Sequence, residues 1–298
     1  MIKTPLSTVI GGAFWTPGAT VISGNAPTFD QQIQKLFANG EQGFWYDPNE
    51  LSTMYQDAAG TIPVTAAGQP VGLMLDKSNG LALGDDIKAE TAPYIIGNAV
   101  PATFNPVTGF GTVSRIDALN QSYLTLALDA GKFYTMVINR PSGSGFLNLR
   151  LGTVGANVFV QIPPNTVTPV IFSGSAGAIS FTASVGDISF SIKEVRELAG
   201  NPAYQTTSAA RPVLRDAPRR IDFDAVDDKL ITNLPAQLTG CTVIRSVPNV
   251  GTQILTGQTI PTTYEDNKDH CGLIVINRAL TPSETSTIAT EFNKRAGV

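Results

Sequence analysis

Phe146-Leu147-Asn148-Leu149-Arg150-Leu151 and Ile188-Ser189-Phe190-Ser191-Ile192-Lys193-Glu194-Val195 decide the fold. In the first, Leu147, Leu149 and Leu151 fall on one side of an extended chain, with Asn148 and Arg150 on the other. In the second, Ile188, Phe190 and Ile192 oppose Ser189, Ser191 and Lys193. A period of two marks a strand with one buried face. Working outward, Ser122 to Leu128, Phe133 to Asn139, Asn157 to Ile162, Val170 to Ser173 and Ile179 to Ser184 read as further short strands. Turn-forming runs divide them, among them Asp129-Ala130-Gly131, Pro141-Ser142-Gly143-Ser144-Gly145 and Pro163-Pro164-Asn165. The pattern predicts a mainly β protein whose centre, residues 91–198, is an antiparallel β-sandwich of jelly-roll type.

This central stretch carries little charge. From Ile96 to Ile192 only Arg115, Asp117, Asp129, Lys132, Arg140, Arg150 and Asp187 are charged. A face rich in Ser, Thr, Asn and Gly suits contact with other protein chains or with a neutral, polar ligand such as a glycan. The whole chain follows suit: charged residues make up 15% and the formal net charge is −4, which supplies no basic stripe for nucleic acid. The longest apolar runs are too short to cross a bilayer. Residues 1–13 are interrupted by Pro5 and too weakly apolar for a secretory signal, so export by that route is not expected. Cys241 and Cys271 are too few for a disulfide framework and read as packed, reduced thiols, with pairing to each other within the C-terminal segment as the alternative.

Residues 1–90 are expected to form an anchoring module. Its first part is extended, with the pair Phe14 and Trp15 placed to dock on a partner. Thr28 and Gln31 spell a capping box for a short helix that ends before Gly40 and shows Phe29, Ile33, Leu36 and Phe37 on one face. Asp47, Pro48 and Glu50 predict a second helix over Pro48 to Asp57. The triplet Phe44, Trp45 and Tyr46 reads as a packed junction with a partner, or as a stacking platform for sugar. Residues 199–298 are expected to hold an ordered linker, the aperiodic run Asn201 to Pro212, then a small β-rich module. That module closes with a strand at Gly272 to Asn277 and a helix capped by Thr281, Pro282 and Glu284 and stopped by Gly297.

Candidate chemistry is thin. Asp222, Asp224, Asp227 and Asp228 offer oxygen ligands for a cation but lack the glycine turn and distal Glu of an EF-hand loop, and pairing with Arg215, Arg219 and Arg220 is the favoured reading over metal binding. His270, the single histidine, adjoins Cys271 near Asp266 and Asp269, yet neighbours on a strand point to opposite faces. No nucleophile elbow, phosphate loop, dinucleotide turn or His-Glu-x-x-His motif occurs. Paired carboxylates for glycoside hydrolysis would have to come from a set as sparse as Asp117, Asp129 and Asp187, so a depolymerase is the weaker expectation. No catalytic residue, metal or cofactor is expected.

Several stretches resemble structural proteins of tailed bacteriophages. Leu36-Phe37-Ala38-Asn39-Gly40-Glu41-Gln42-Gly43-Phe44-Trp45-Tyr46-Asp47-Pro48, running on to Gly68-Gln69-Pro70-Val71-Gly72-Leu73-Met74-Leu75-Asp76-Lys77, is similar to an N-terminal module of phage and prophage virion proteins. Ser189 to Leu198 resembles the closing strand of carbohydrate-binding-type jelly rolls. Ala209 to Leu214 followed by Ile221 to Asp228 resembles the start of a LamG or concanavalin-like sandwich, here truncated. The resemblance implies a non-enzymatic virion component assembled in the host cytoplasm. It would be a tail appendage or fibre-like protein, anchored through its N-terminus to other virion proteins and homo-oligomeric, with a trimer favoured. A capsid decoration protein and a module recognising host surface glycan are the alternatives.

Overall fold

The computed structural model describes residues 8–10, 13–15, 27–96, 99–153 and 155–298. A hairpin of β1 (Thr8–Ile10) and β2 (Ala13–Trp15) comes first. In helix α1 (Phe29–Leu36), Thr28 and Gln31 exchange the expected capping hydrogen bonds, and Ile33 and Leu36 are buried. Three short strands follow, β3 (Gly43–Tyr46), β4 (Met54–Tyr55) and β5 (Leu73–Met74). The helix expected over Pro48 to Asp57 is absent. In its place a single 3₁₀ turn, Leu51–Thr53, runs straight into β4. Tertiary pairing overrides the local capping signal: Asp47 Oδ1 still accepts from Asn49 N–H while the carboxylate meets Lys77 and Arg295, but Met54 and Tyr55 pair with Met74 and Leu73.

The central region is one eleven-stranded antiparallel sheet. Its strands are β6 (Leu83–Asp86), β7 (Ala92–Ile96), β8 (Thr103–Phe104), β9 (Phe110–Arg115), β10 (Gln121–Ala127), β11 (Phe133–Arg140), β12 (Leu147–Leu151), β13 (Val158–Ile162), β14 (Thr166–Ser173), β15 (Ala178–Ala183) and β16 (Gly186–Leu198). The main path runs β13-β12-β15-β10-β9-β16-β11-β14, and the sheet curls until it almost closes into a barrel-like sandwich. The predicted alternation is what fills it: Leu147, Leu149, Ile188, Phe190 and Ile192 all lie in its core, where Phe181 stacks on Phe190. Ser189 and Lys193 face solvent.

The chain then completes what it began before the sandwich. β17 (Ala203–Tyr204), β18 (Val213–Arg215), β19 (Arg220–Asp222), β20 (Leu230–Asn233), β21 (Leu238–Val247), β22 (Gly251–Ile260), β23 (Thr263–Asp266) and β24 (Leu273–Ile276) precede helix α2 (Pro282–Ala296). A five-stranded sheet orders as β23-β20-β17-β5-β4, and a four-stranded one as β22-β21-β24-β3. Each therefore mixes strands from both sides of the insertion. Residues expected as separate N-terminal and C-terminal modules thus form one body, and the expected linker contributes β17 to the middle of a sheet. Side-chain alternation gives that body its two cores. Phe44, Tyr46, Leu273 and Val275 point into the space between the sheets, while Trp45, Ile274 and Ile276 point outward under α1 and α2. The C-terminal helix carries the predicted caps, from Thr281 and Glu284 to Gly297.

The point where the chain leaves for the sandwich touches the point where it returns. Ala199 N–H donates to Ala82 C=O, and Leu73, Leu75, Phe133, Ile171 and Leu198 form a shared apolar seam. At its rim sits buried Asp76, whose Oδ1 accepts from the backbone N–H groups of Trp45 and Ser78 and whose Oδ2 accepts from Asn201 N–H. Gly200, at φ +108°, is what lets the returning chain pass, because a Cβ there would sit 2.8 Å from Asp76 Oδ2. Burial pushes the Asp76 carboxyl up, against the pull of its amide donors. Asp76→Ala would strand three buried amides and is expected to lower unfolding free energy by about 3 kcal/mol or more, measured by urea titration.

Candidate functional site

Phe44, Trp45 and Tyr46 do not present a surface. All three are at most 1% exposed: Phe44 stacks on Tyr46 between the sheets, and Trp45 packs edge-on against Phe29 with the Lys77 ammonium over its ring. The sequence reads them as aromatic and adjacent, but β3 lies between two cores, so successive rings are buried on opposite sides. The junction they make is with the chain's own α1, α2 and β23, and the sugar-platform alternative has no exposed ring there. The side chains of Phe14 and Trp15 lie outside the described residues.

The ionisable clusters are likewise turned inward. Asp47 bridges Lys77 at 3.2 Å and Arg295 at 2.7 Å, and Lys77 also meets Asp30 at 2.8 Å, so the network ties both helices to the end of β3. Burial raises the Asp47 carboxyl, but Arg295 and Lys77 outweigh it and hold it below the ordinary range. His270 is fully buried, with Nε2 3.1 Å from Asp266 Oδ2, while Arg245 meets the other oxygen at 2.7 Å. Burial works against the Asp266 charge, yet Arg245 and His270 hold its carboxyl at about 2. Burial also pushes the Cys271 thiol up to about 11, and Cys241 and Cys271 are separate buried thiols. Asp47, Asp266, His270, Cys241 and Cys271 are all buried, whereas Asp30 is partly open to solvent.

The acidic loop differs from the expected pairing. Asp222 takes Arg215 and Arg220, and Asp216 takes Arg219, which leaves Asp224, Asp227 and Asp228 with carboxylate oxygens within 4.8 Å of one another. Their oxygens hold the turn itself: Asp224 Oδ1 accepts from the N–H groups of Val226, Asp227 and Asp228, and Asp228 Oδ2 accepts from Asp224 N–H. Burial and the neighbouring Asp224 and Asp227 charges raise the Asp228 carboxyl.

What remains is the end of the sandwich remote from the body. Strand register places the β9–β10 turn, the 141–146 loop, the Pro163–Asn165 turn and the β15–β16 turn together there, since Arg115 faces Gly186, Leu147 faces both Ala183 and Ile162, and Arg140 faces Thr166. These loops expose Ile116 (67%), Leu119 (76%), Phe146 (43%) and Val185 (56%). Asp117 turns its own loop by accepting from Leu119 and Asn120 N–H. Arg140 holds the neighbouring ones. It is fully buried, and its guanidinium donates to the carbonyls of Ser144, Gly145 and Ile162. Burial lowers its pKa, and its planar fork meets three loop carbonyls at once. From sequence Arg140 counts among the surface charges; the signal for its role is an arginine directly ahead of Pro141-Ser142-Gly143-Ser144-Gly145, a loop rich in carbonyls and poor in side chains to bond them.

Compared with models of known protein families and with curated proteins, the chain matches none.

Two outcomes follow from this geometry. Arg140→Met is expected to speed amide hydrogen exchange in residues 142–146 at least tenfold, leaving protection in β21 and β24 unchanged. Folding lowers the Asp266 carboxyl from the ordinary range near pH 4 to about 2, so its stabilisation is present above about pH 4 and fades as pH falls through about 2. Urea unfolding at several pH values should therefore show an acid slope that Asp266→Asn flattens, with lower stability at neutral pH.

Proposed function

We propose that the protein is a non-enzymatic structural component of a tailed-bacteriophage particle, assembled in the host cytoplasm and tail-associated. It works by binding: the two-sheet body and the segment before α1 attach to other virion proteins or other copies, while the sandwich projects. One observation carries this. The sandwich is clipped to the body at one end only, and the opposite end displays apolar side chains on loops held by buried Arg140. A chain built to display a surface needs this division between a packed base and a remote tip. An enzyme needs a reachable acid, base or nucleophile, and the clusters described above are spent on internal contacts.

The charge-poor sandwich and the phage resemblance point the same way, toward neighbours rather than a small substrate. A head decoration protein would use the same base on another part of the particle. The glycan alternative draws on the polar sandwich surface alone, because the aromatic triplet is buried. Immunogold labelling of intact particles is expected to place the protein at the tail. Gold on the head would replace the tail assignment with decoration, and particles without label would refute the virion role. Leu119→Glu is expected to leave the melting temperature within about 2 °C while reducing the tip-dependent step, adsorption or assembly, by at least tenfold.

A further inference from the structure

The four-stranded sheet has one edge that the chain covers and one that it leaves open. At the covered edge, Trp45 of β3 donates its N–H to Asp76 and accepts at its carbonyl from Lys77 N–H. At the other edge lies β22, Gly251-Thr252-Gln253-Ile254-Leu255-Thr256-Gly257-Gln258-Thr259-Ile260, paired with β21 alone. Thr252 N–H turns away from β21 to Asn293 Oδ1, and strand alternation sends the amides of Ile254 and Thr256 the same way. Among the described residues, no other strand pairs with that side. Natural sheets guard such edges with charge or proline. β22 has neither, although register shifts near Gly240 and Gly257 bend it. Beside it runs a groove of about 310 Å³ whose apolar lining includes Val243, Leu255 and Tyr264, with Leu255 44% exposed, and whose charged lining includes Arg245, Glu265 and Lys268.

The segment ahead of α1 has the matching chemistry. Its one charged side chain is Lys3, and it holds the strand-like runs Leu6 to Ile10, Ala13 to Trp15 and Ala19 to Ser23. Among the described residues, β1 and β2 pair only with each other, and a two-stranded hairpin alone is marginal in water. Residues 16–26 can span roughly 35 Å when extended. Their attachment point, α1, packs beside β3, about 14 Å from β22 across three strand spacings. The chain's own β22 is thus within reach, yet among the described residues no strand pairs with its outer edge, which favours exchange between copies.

We propose that the β1–β2 segment of one copy adds to the β22 edge of a second copy, with its apolar side chains entering the adjoining groove. This names a partner for the arm that the functional reading uses as an anchor, but it concerns the purified protein and can fail without affecting the particle assignment.

Sedimentation of the full-length chain at micromolar concentration is expected to show an oligomer. Thr256→Pro, which removes an edge amide, and the double change Phe14→Asp with Trp15→Asp should each weaken association at least tenfold with unchanged thermal melting, whereas Thr256→Val should preserve it. A monomeric native chain overturns the proposal, as does an oligomer that survives either disruptive variant. Mixing Ala13→Cys protein with Thr256→Cys protein under mild oxidation should give a disulfide-linked pair. A bond that forms only within single chains carrying both cysteines, or no bond in either arrangement, also refutes exchange.

Discussion

A single buried carboxylate governs how the molecule is put together. Asp76 holds three amides from segments far apart in sequence: Trp45 in β3, Ser78 on the way to the sandwich, and Asn201 just after it. Desolvating a carboxylate is costly, and amide donors at hydrogen-bond distance are what make the position tolerable. The same atoms that stabilise the charge fix the spacing of the outgoing and returning chains. A domain of 116 residues, Leu83 to Leu198, can therefore sit between two halves of one body without separating them.

The layering of that body follows from β3 and β24. In both, odd and even side chains are apolar, so each strand feeds one core between the sheets and another beneath the helices. The strands after Asp228 pack with partners from the other side of the insertion, because β3 joins the sheet of β21, β22 and β24, and β4 and β5 join the sheet of β20 and β23. The charged residues serve the same end. Asp47, Lys77 and Arg295 join helices to sheet, Arg245 and Asp266 close the space between sheets, and Arg140 fastens the loops at the far tip.

Strong periodicity made much of this legible. The sandwich strands follow from the alternation of Leu147 and Leu149 or Ile188 and Phe190, and both α-helices from their capping boxes, because these signals act over a few residues. Features set by long-range pairing were hidden. Pro48 to Asp57 carries a helix's caps but yields to β4–β5 pairing, and Ala203-Tyr204 looks like linker until Leu73-Met74 and Ile231-Thr232 flank it. Phe44, Trp45 and Tyr46 announce burial or binding equally well, since a ring's identity does not say which of two layers will cover it. Asp76 gave no local sign of its role, since it binds backbone groups that no residue code specifies, and Arg140 gave only the carbonyl-rich loop that follows it.

The account rests on the sandwich being a separable projection from a body that the two flanking segments build together. The most direct measurement replaces residues 83–198 with a short glycine linker between Ala82 and Ala199, which already share a hydrogen bond, and follows unfolding by circular dichroism. A single cooperative transition with native-like protection of β3 and β24 amides is predicted. A chain that fails to fold, or whose β3 exchanges freely while β24 stays protected, would contradict it.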